Sequence, residues 1–152
     1  MIPGSAIAGD ADATSLALNP GLLGFARGTH LAWLYNDWDD GTAQAGRGAG
    51  GLLTVSPADA LTLGVGYEHI RPSFVGGPGS YGKLSLGFGL QSGPMLAIGA
   101  AWEHLFFDRY AGLDTASLGL AFRPHDTVAL GLVLRDAFRP EVDDIAGGRK
   151  LP

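Results

Sequence analysis

Cysteine is absent from the 152 residues, which excludes disulfide bonds and thiolate metal ligands. Charged residues are also scarce: they make up 16% of the chain, with a formal net charge of −5. A mildly acidic balance gives no reason to expect nucleic acid as a partner. The four histidines are dispersed, and none is paired with another at a zinc-ligand spacing. We therefore expect no metal and no cofactor.

Long apolar runs are missing too. A membrane-spanning helix needs about 20 consecutive apolar residues. The nearest run, residues 52–65, is interrupted by Ser56, Pro57 and Asp59. The first residues contain neither the basic region nor the apolar run of a secretory signal. We expect either that a signal has been removed or that the chain starts inside a longer protein.

Glycine, by contrast, is abundant. The chain has 25 glycines without a G-X-Y period, which excludes collagen. Apolar residues make up 46% of the chain, so disorder is not expected. The length suits one domain or part of a larger one.

Large apolar residues alternate with glycine, alanine or serine over several stretches, including residues 61–68, 84–90 and 117–122. Because successive side chains of a strand point to opposite faces, each stretch has one apolar face and one face of small residues. A soluble sheet with one wet face would carry polar side chains where these glycines stand. The pattern favours a lipid-facing barrel wall.

The capping and turn residues along the chain predict a short helix followed by about seven strands. Asp10 and Asp12 can cap a helix that runs to Leu18, and the Asn19-Pro20 pair stops it. Strands are predicted at residues 29–36, 48–55, 61–70, 82–91, 95–105, 114–123 and 127–136. Residues 1–28 then form a plug-like N-terminal segment, residues 29–136 a barrel segment, and residues 137–152 a loop toward a further strand.

The connections alternate in length. Residues 56–59, 91–94 and 123–126 are predicted tight turns, whereas residues 37–47, 71–81 and 106–113 are long loops. In an up-and-down meander all short turns then lie at one end and all long loops at the other. Outer-membrane barrels have this asymmetry.

Aromatic residues cluster toward the long-loop ends, where a girdle at a membrane–water interface would lie. The predicted interfacial residues are Trp33, Tyr35, Trp38, Tyr67, Trp102, Phe106 and Tyr110.

We predict an all-β fold: an antiparallel up-and-down meander forming part of an outer-membrane-type β-barrel, with a short N-terminal helix. Seven strands leave two unpaired edges, and single-chain bacterial barrels close with an even number of strands. Further strands of the same barrel are therefore expected partners, together with outer-membrane lipid.

The face of small residues carries a few charges. Centring a tight turn on Gly93 places Lys83 opposite Glu103, with Glu68 near Lys83 across the preceding hairpin. These three residues and Arg135 are lumen or gate candidates, although an ion pair that merely hydrates the interior is the simpler interpretation. The glycines of this face favour close approach of another segment, for which the N-terminal helix is the candidate. Asp10, Asp12, Asn19 and Pro20 mark this plug motif.

Residues 10–24, DADATSLALNPGLLG, resemble the D-D-A-(S/T)-A-…-N-P-A-G-L opening of the long-chain fatty-acid transporter family of outer-membrane barrels, with Gly21 where that family usually has alanine. Residues 118–136 are similar to its later strand pairs. A related pattern opens some bacterial signal peptide peptidases of the protease IV type, in which a β-rich region precedes the peptidase.

These resemblances imply different whole proteins. The first implies transport of a hydrophobic small molecule across the outer membrane of a Gram-negative bacterium. The second implies a non-catalytic β region, periplasmic or membrane-associated, whose serine–lysine catalytic domain lies outside this chain. No catalytic residues are identified among the 152, and a soluble β-sandwich binding module remains a third alternative.

Overall fold

Seven strands form a single antiparallel sheet in chain order, which curls into a half-barrel. This computed structural model describes residues 7–38, 46–72, 79–107, 112–125 and 127–137. The strands are β1 (Thr29–Trp38), β2 (Gly46–Ala58), β3 (Leu61–Pro72), β4 (Tyr81–Ser92), β5 (Leu96–Phe107), β6 (Leu113–His125) and β7 (Val128–Leu134). They follow α1 (Ser15–Leu18) and a 3₁₀ helix (Pro20–Phe25). The predicted all-β meander is confirmed.

The strands extend beyond most of the predicted boundaries. β2, for example, runs over 13 residues, because pairing with its neighbours continues into residues expected to lie in a loop and a turn. Pro57 and Pro124 fall inside the strands, each within a register shift, at Val55/Ala58 and Phe122/His125. Such irregularities tolerate proline because its missing N–H breaks no ladder hydrogen bond.

The predicted helix is shorter than expected, and its caps were wrong. α1 begins after Thr14, which makes no side-chain cap, and Asp12 instead accepts hydrogen bonds from the Thr14 amide and hydroxyl, at 2.7 and 2.6 Å. The helix ends before Asn19-Pro20, as predicted. The chain then continues as the 3₁₀ helix, where the Asn19 side chain accepts from the Gly21 amide at 3.0 Å.

The two faces of the sheet differ completely. The convex face carries large apolar side chains such as Leu63, Val65 and Leu86, all exposed. The concave face carries mostly small residues, among them the buried Thr62 and Ser85. The two-residue alternation of the sequence is therefore the alternation between these faces.

The N-terminal segment, which we define as residues 7–28, fills the concave side. Leu16 and Leu23 are buried there with Leu52 and Ala101 of the sheet. Contact with the wall is so close that glycine is required. A Cβ on Gly89 would lie 2.6 Å from the Leu23 carbonyl carbon, well inside ordinary van der Waals contact.

Replacing Gly89 by alanine tests this close contact. The added methyl meets the Leu23 backbone, so we expect Gly89→Ala to lower the free energy of unfolding by about 1–3 kcal/mol. Urea unfolding measures the loss, and faster tryptic cleavage after Arg27 would report release of the segment. The control is Gly51→Ala on the convex face, where the nearest atom, in the Trp33 ring, would be 3.5 Å from the new Cβ. Equal behaviour of the two variants would contradict the packing described.

Candidate functional site

The convex face presents a continuous apolar band across all seven strands. On β4 it consists of Leu84, Leu86, Phe88 and Leu90, which occupy every second position of that strand. Corresponding residues of the other strands include Leu31, Leu53, Leu63, Val65, Ile98, Leu118, Leu120, Leu130, Leu132 and Leu134. Leu132, on the edge strand β7, exposes 70% of its surface. Contiguous exposed apolar surface of this kind marks an interaction face.

Charged residues of the convex face lie outside this band. At the long-loop end Arg47 pairs with Asp37 at 3.3 Å, and His104 contacts Asp114 at 2.8 Å. Arg71 belongs to the same end and bonds His69 at 2.9 Å. The band is thus bordered by polar side chains rather than interrupted by them.

Aromatic side chains form the border of the band at the long-loop end. Trp33 and Tyr67 occupy one rung of the strand ladder, both aligned through Gly51. Tyr35 and Phe106 occupy the next rung, and Trp102 lies one rung closer to the short turns than Trp33. All five side chains are exposed, and Trp33 exposes 75% of its surface.

Two members of the predicted aromatic girdle cannot be assigned to this row. The side chain of Trp38 and all of Tyr110 lie outside the described residues, as do residues 138–152. His104, which sequence reasoning did not include, belongs to the row: it stacks on Trp102 at 5.8 Å and meets Phe106 edge-on at 4.3 Å between ring centroids. Its alternation with these aromatics, every second residue, was the signal available.

On the concave side, Asn19 ties the N-terminal segment to the wall. Its buried amide nitrogen donates to the Ile7 carbonyl at 2.8 Å and to the Leu120 carbonyl of β6 at 3.2 Å. Pro20 is buried beside it. Of the four plug-motif residues, Asn19 and Pro20 therefore contact the wall, whereas Asp12 bonds locally and Asp10 accepts at its carbonyl from Ser15 at 3.3 Å.

Arg135 lies just beyond β7 and binds the end of α1. Its guanidinium donates to the carbonyls of Ala17 and Leu18 at 3.3 and 3.1 Å. Helix carbonyls at a C-terminus lack partners within the helix and favour a cation. The structure gives this gate candidate an anchoring contact with the N-terminal segment.

The other three lumen candidates form a charged cluster toward the long-loop end. Lys83 Nζ lies 3.3 Å from Glu68 Oε2 and 3.4 Å from Glu103 Oε1. Glu68 is directly opposite Lys83, but the predicted opposition of Lys83 and Glu103 is wrong: Lys83 faces Leu105, and Glu103 faces Ser85. The observed hairpin is centred on Pro94, one position later than Gly93, so each β4 residue lies opposite a β5 residue two positions further along than predicted. A shift of two keeps both side chains on one face, so the ion pair forms diagonally.

This cluster links β3, β4 and β5 through side chains that are largely buried. Each of the three side chains exposes only 18–19% of its surface. Ser85 adds a long hydrogen bond to Glu103 at 3.5 Å. One lysine balances two carboxylates, so removal of the lysine leaves like charges facing each other across β4.

Two arginines at the short-turn end were missed. Arg123 shares the concave face with Gly119 and Ala121 by two-residue alternation, which was a usable signal. Arg27 follows the 3₁₀ helix and carried no such signal. Both guanidiniums bond to the N-terminal segment.

Comparisons with protein-family models, with curated proteins and with solved structures gave no match to this chain. Neither helix in the described part of the chain has the length and apolar character needed to cross a membrane. Among the same residues, no three histidine, aspartate or glutamate side chains are grouped as metal ligands would be.

Lys83→Gln tests the charged cluster. Because Glu68 and Glu103 lose their shared cation, we expect the free energy of unfolding to fall by about 1–3 kcal/mol. Denaturant unfolding gives the value. Arg47→Gln removes an exposed pair and should cost about 0.5 kcal/mol or less. The variant in which Glu68, Lys83 and Glu103 are all replaced by glutamine should regain part of the loss; no recovery would contradict the electrostatic account.

Proposed function

We propose that this chain is a non-catalytic wall segment of a bacterial outer-membrane β-barrel that transports a hydrophobic small molecule. The observation that carries the membrane assignment is the apolar band of the convex face. Burying such a band contributes about 25 cal/mol per Å² of apolar surface removed from water. Hydrocarbon supplies that burial without any requirement for shape complementarity.

Strand length supports the same assignment. β2 to β6 have 12 or 13 residues each. With a rise of about 3.4 Å per residue and a tilt of about 40°, such a strand spans roughly 30 Å along the barrel axis. That is the thickness of a bilayer hydrocarbon core. The aromatic row at one border fits the interface between hydrocarbon and water.

The two sheet edges support a wall that other strands complete. β1 and β7 are the edges, and both run from the short-turn end to the long-loop end. They cannot pair antiparallel with each other. Closure by antiparallel pairing therefore needs an odd number of additional strands, which gives the even total found in bacterial outer-membrane barrels.

The filled interior favours a hydrophobic cargo over free aqueous diffusion. The N-terminal segment occupies the concave side, and glycines let it contact the wall backbone. That packing leaves no wide water-filled channel along the described part of the wall.

The transport role rests on the resemblance to long-chain fatty-acid transporters. The resemblance to protease IV-type peptidases gives the alternative, a β region that precedes a serine–lysine domain. The reading frame beyond Pro152 distinguishes the two, since a transporter requires further alternating strands.

Leu86→Arg tests the lipid-facing wall. A charge at mid-bilayer on the lipid face of a barrel costs about 2–4 kcal/mol, whereas an exposed leucine of a soluble protein accepts arginine almost freely. We expect folding of Leu86→Arg into phospholipid vesicles, followed by heat-modifiable gel mobility, to be strongly reduced. Ser92→Arg, an exposed position at the short-turn end of the same strand, is the matched control. A monodisperse, detergent-free protein that tolerates both changes equally would overturn the membrane assignment.

A further inference from the structure

A cavity lies at the short-turn end, away from both the apolar band and the charged cluster. It encloses about 670 Å³ between the N-terminal segment and the turns that follow β4 and β6. Arg27, Arg123 and His125 contribute its basic groups, and Asp10 is the acidic residue in its lining. Two arginines against one aspartate leave an excess of one positive charge with the histidine neutral.

The guanidinium of Arg123 has no carboxylate partner among the described residues. One terminal nitrogen donates to the Gly9 carbonyl at 2.6 Å, and the group lies over the Phe25 ring at 4.9 Å from its centroid. Its buried Nε finds no acceptor in the described part of the chain. The contacts hold the cation in place without neutralising it.

Arg27 is held in the same manner. It donates to the Gly24 and Ala26 carbonyls at 3.0 and 2.8 Å, and also to the Gln91 amide oxygen. All three acceptors are neutral, and neither arginine forms an ion pair with Asp10. By contrast, the long-loop end pairs Arg47 and Lys83 with carboxylates.

The rest of the lining combines polar residues, Gln91 and Thr127, with an apolar part. Phe25, Met95 and Val128 face the same space as the two arginines. Guanidinium groups bind carboxylate and phosphate oxygens by charge-assisted hydrogen bonds, and an adjoining apolar surface selects a ligand that also has an apolar part.

We propose that this cavity binds an amphiphilic anion, a ligand with one negatively charged head group on a short apolar body. Arg27 and Arg123 hold the head group, and Phe25, Met95 and Val128 cover the apolar part. The site is formed by the N-terminal segment together with the turns and strand ends at the short-turn end. The anion site does not depend on the membrane assignment, so a failure to bind the ligand would not change the interpretation of Leu86→Arg.

Hexyl phosphate is a suitable probe, titrated into this 152-residue chain by calorimetry. The ¹³C-methyl resonance of Met95 reports the site, since Met1 and Met95 are the only methionines of these 152 residues. We expect saturable binding with a shift of the Met95 signal. Hexanol lacks the charge and inorganic phosphate lacks the apolar part, so each should bind at least about tenfold more weakly.

Charge-removing variants decide the outcome. Arg123→Gln and Arg27→Gln should each weaken hexyl phosphate binding by about tenfold or more, whereas Arg47→Gln at the opposite end should leave it unchanged. If Arg123→Gln does not fold, the exposed Arg27 still provides the test. Binding of hexyl phosphate that hexanol reproduces, or that survives both arginine changes, would overturn the proposal.

Discussion

The close contact between the N-terminal segment and the small residues of the concave face is the constraint on which the rest of the structure depends. Gly21 meets the backbone of Gly119, where a Cβ would lie 2.7 Å from the Gly119 carbonyl carbon. Larger side chains on either partner would separate the segment from the wall. The small residues lie at alternate positions of the strands where the segment packs, and the large apolar residues at the intervening positions face outward.

A filled interior also dictates where polar groups can go. Asn19 is fully buried, yet it forms hydrogen bonds to Ile7, Leu120 and Gly21. The hydroxyl of Ser56 and that of Thr62 both reach the Ala26 carbonyl, at 3.0 and 3.2 Å. Buried polar groups without such partners are costly. Asn19, Ser56 and Thr62 therefore attach the segment to the wall. The ion pairs of Lys83 with Glu68 and Glu103 lie nearer the long-loop end.

Sequence alternation predicted the strands and their faces well, because burial in a strand is determined by a strict two-residue period. It predicted the register of β4 and β5 less well. The observed hairpin is centred one position later than predicted, which places Lys83 opposite Leu105 instead of Glu103. The same side chains face inward in both registers, so the alternation of the sequence does not distinguish between them. The helical part was harder still. α1 has only four residues, and its N-cap position is Thr14 rather than Asp10 or Asp12. The 3₁₀ helix gave no periodic signal at all.

The amino-acid sequence by itself determined the antiparallel meander, the apolar face, the face of small residues and the asymmetry between short turns and long loops. All of these follow from local rules: alternation within a strand and the conformational preferences of proline, glycine and aspartate in turns. Only the tertiary structure decided that Asn19 and Arg135 anchor the N-terminal segment, and that Arg27 and Arg123 share one cavity. Arg135 lies 118 positions from Ala17, and contacts across such separations depend on how the sheet curls, which no local pattern encodes.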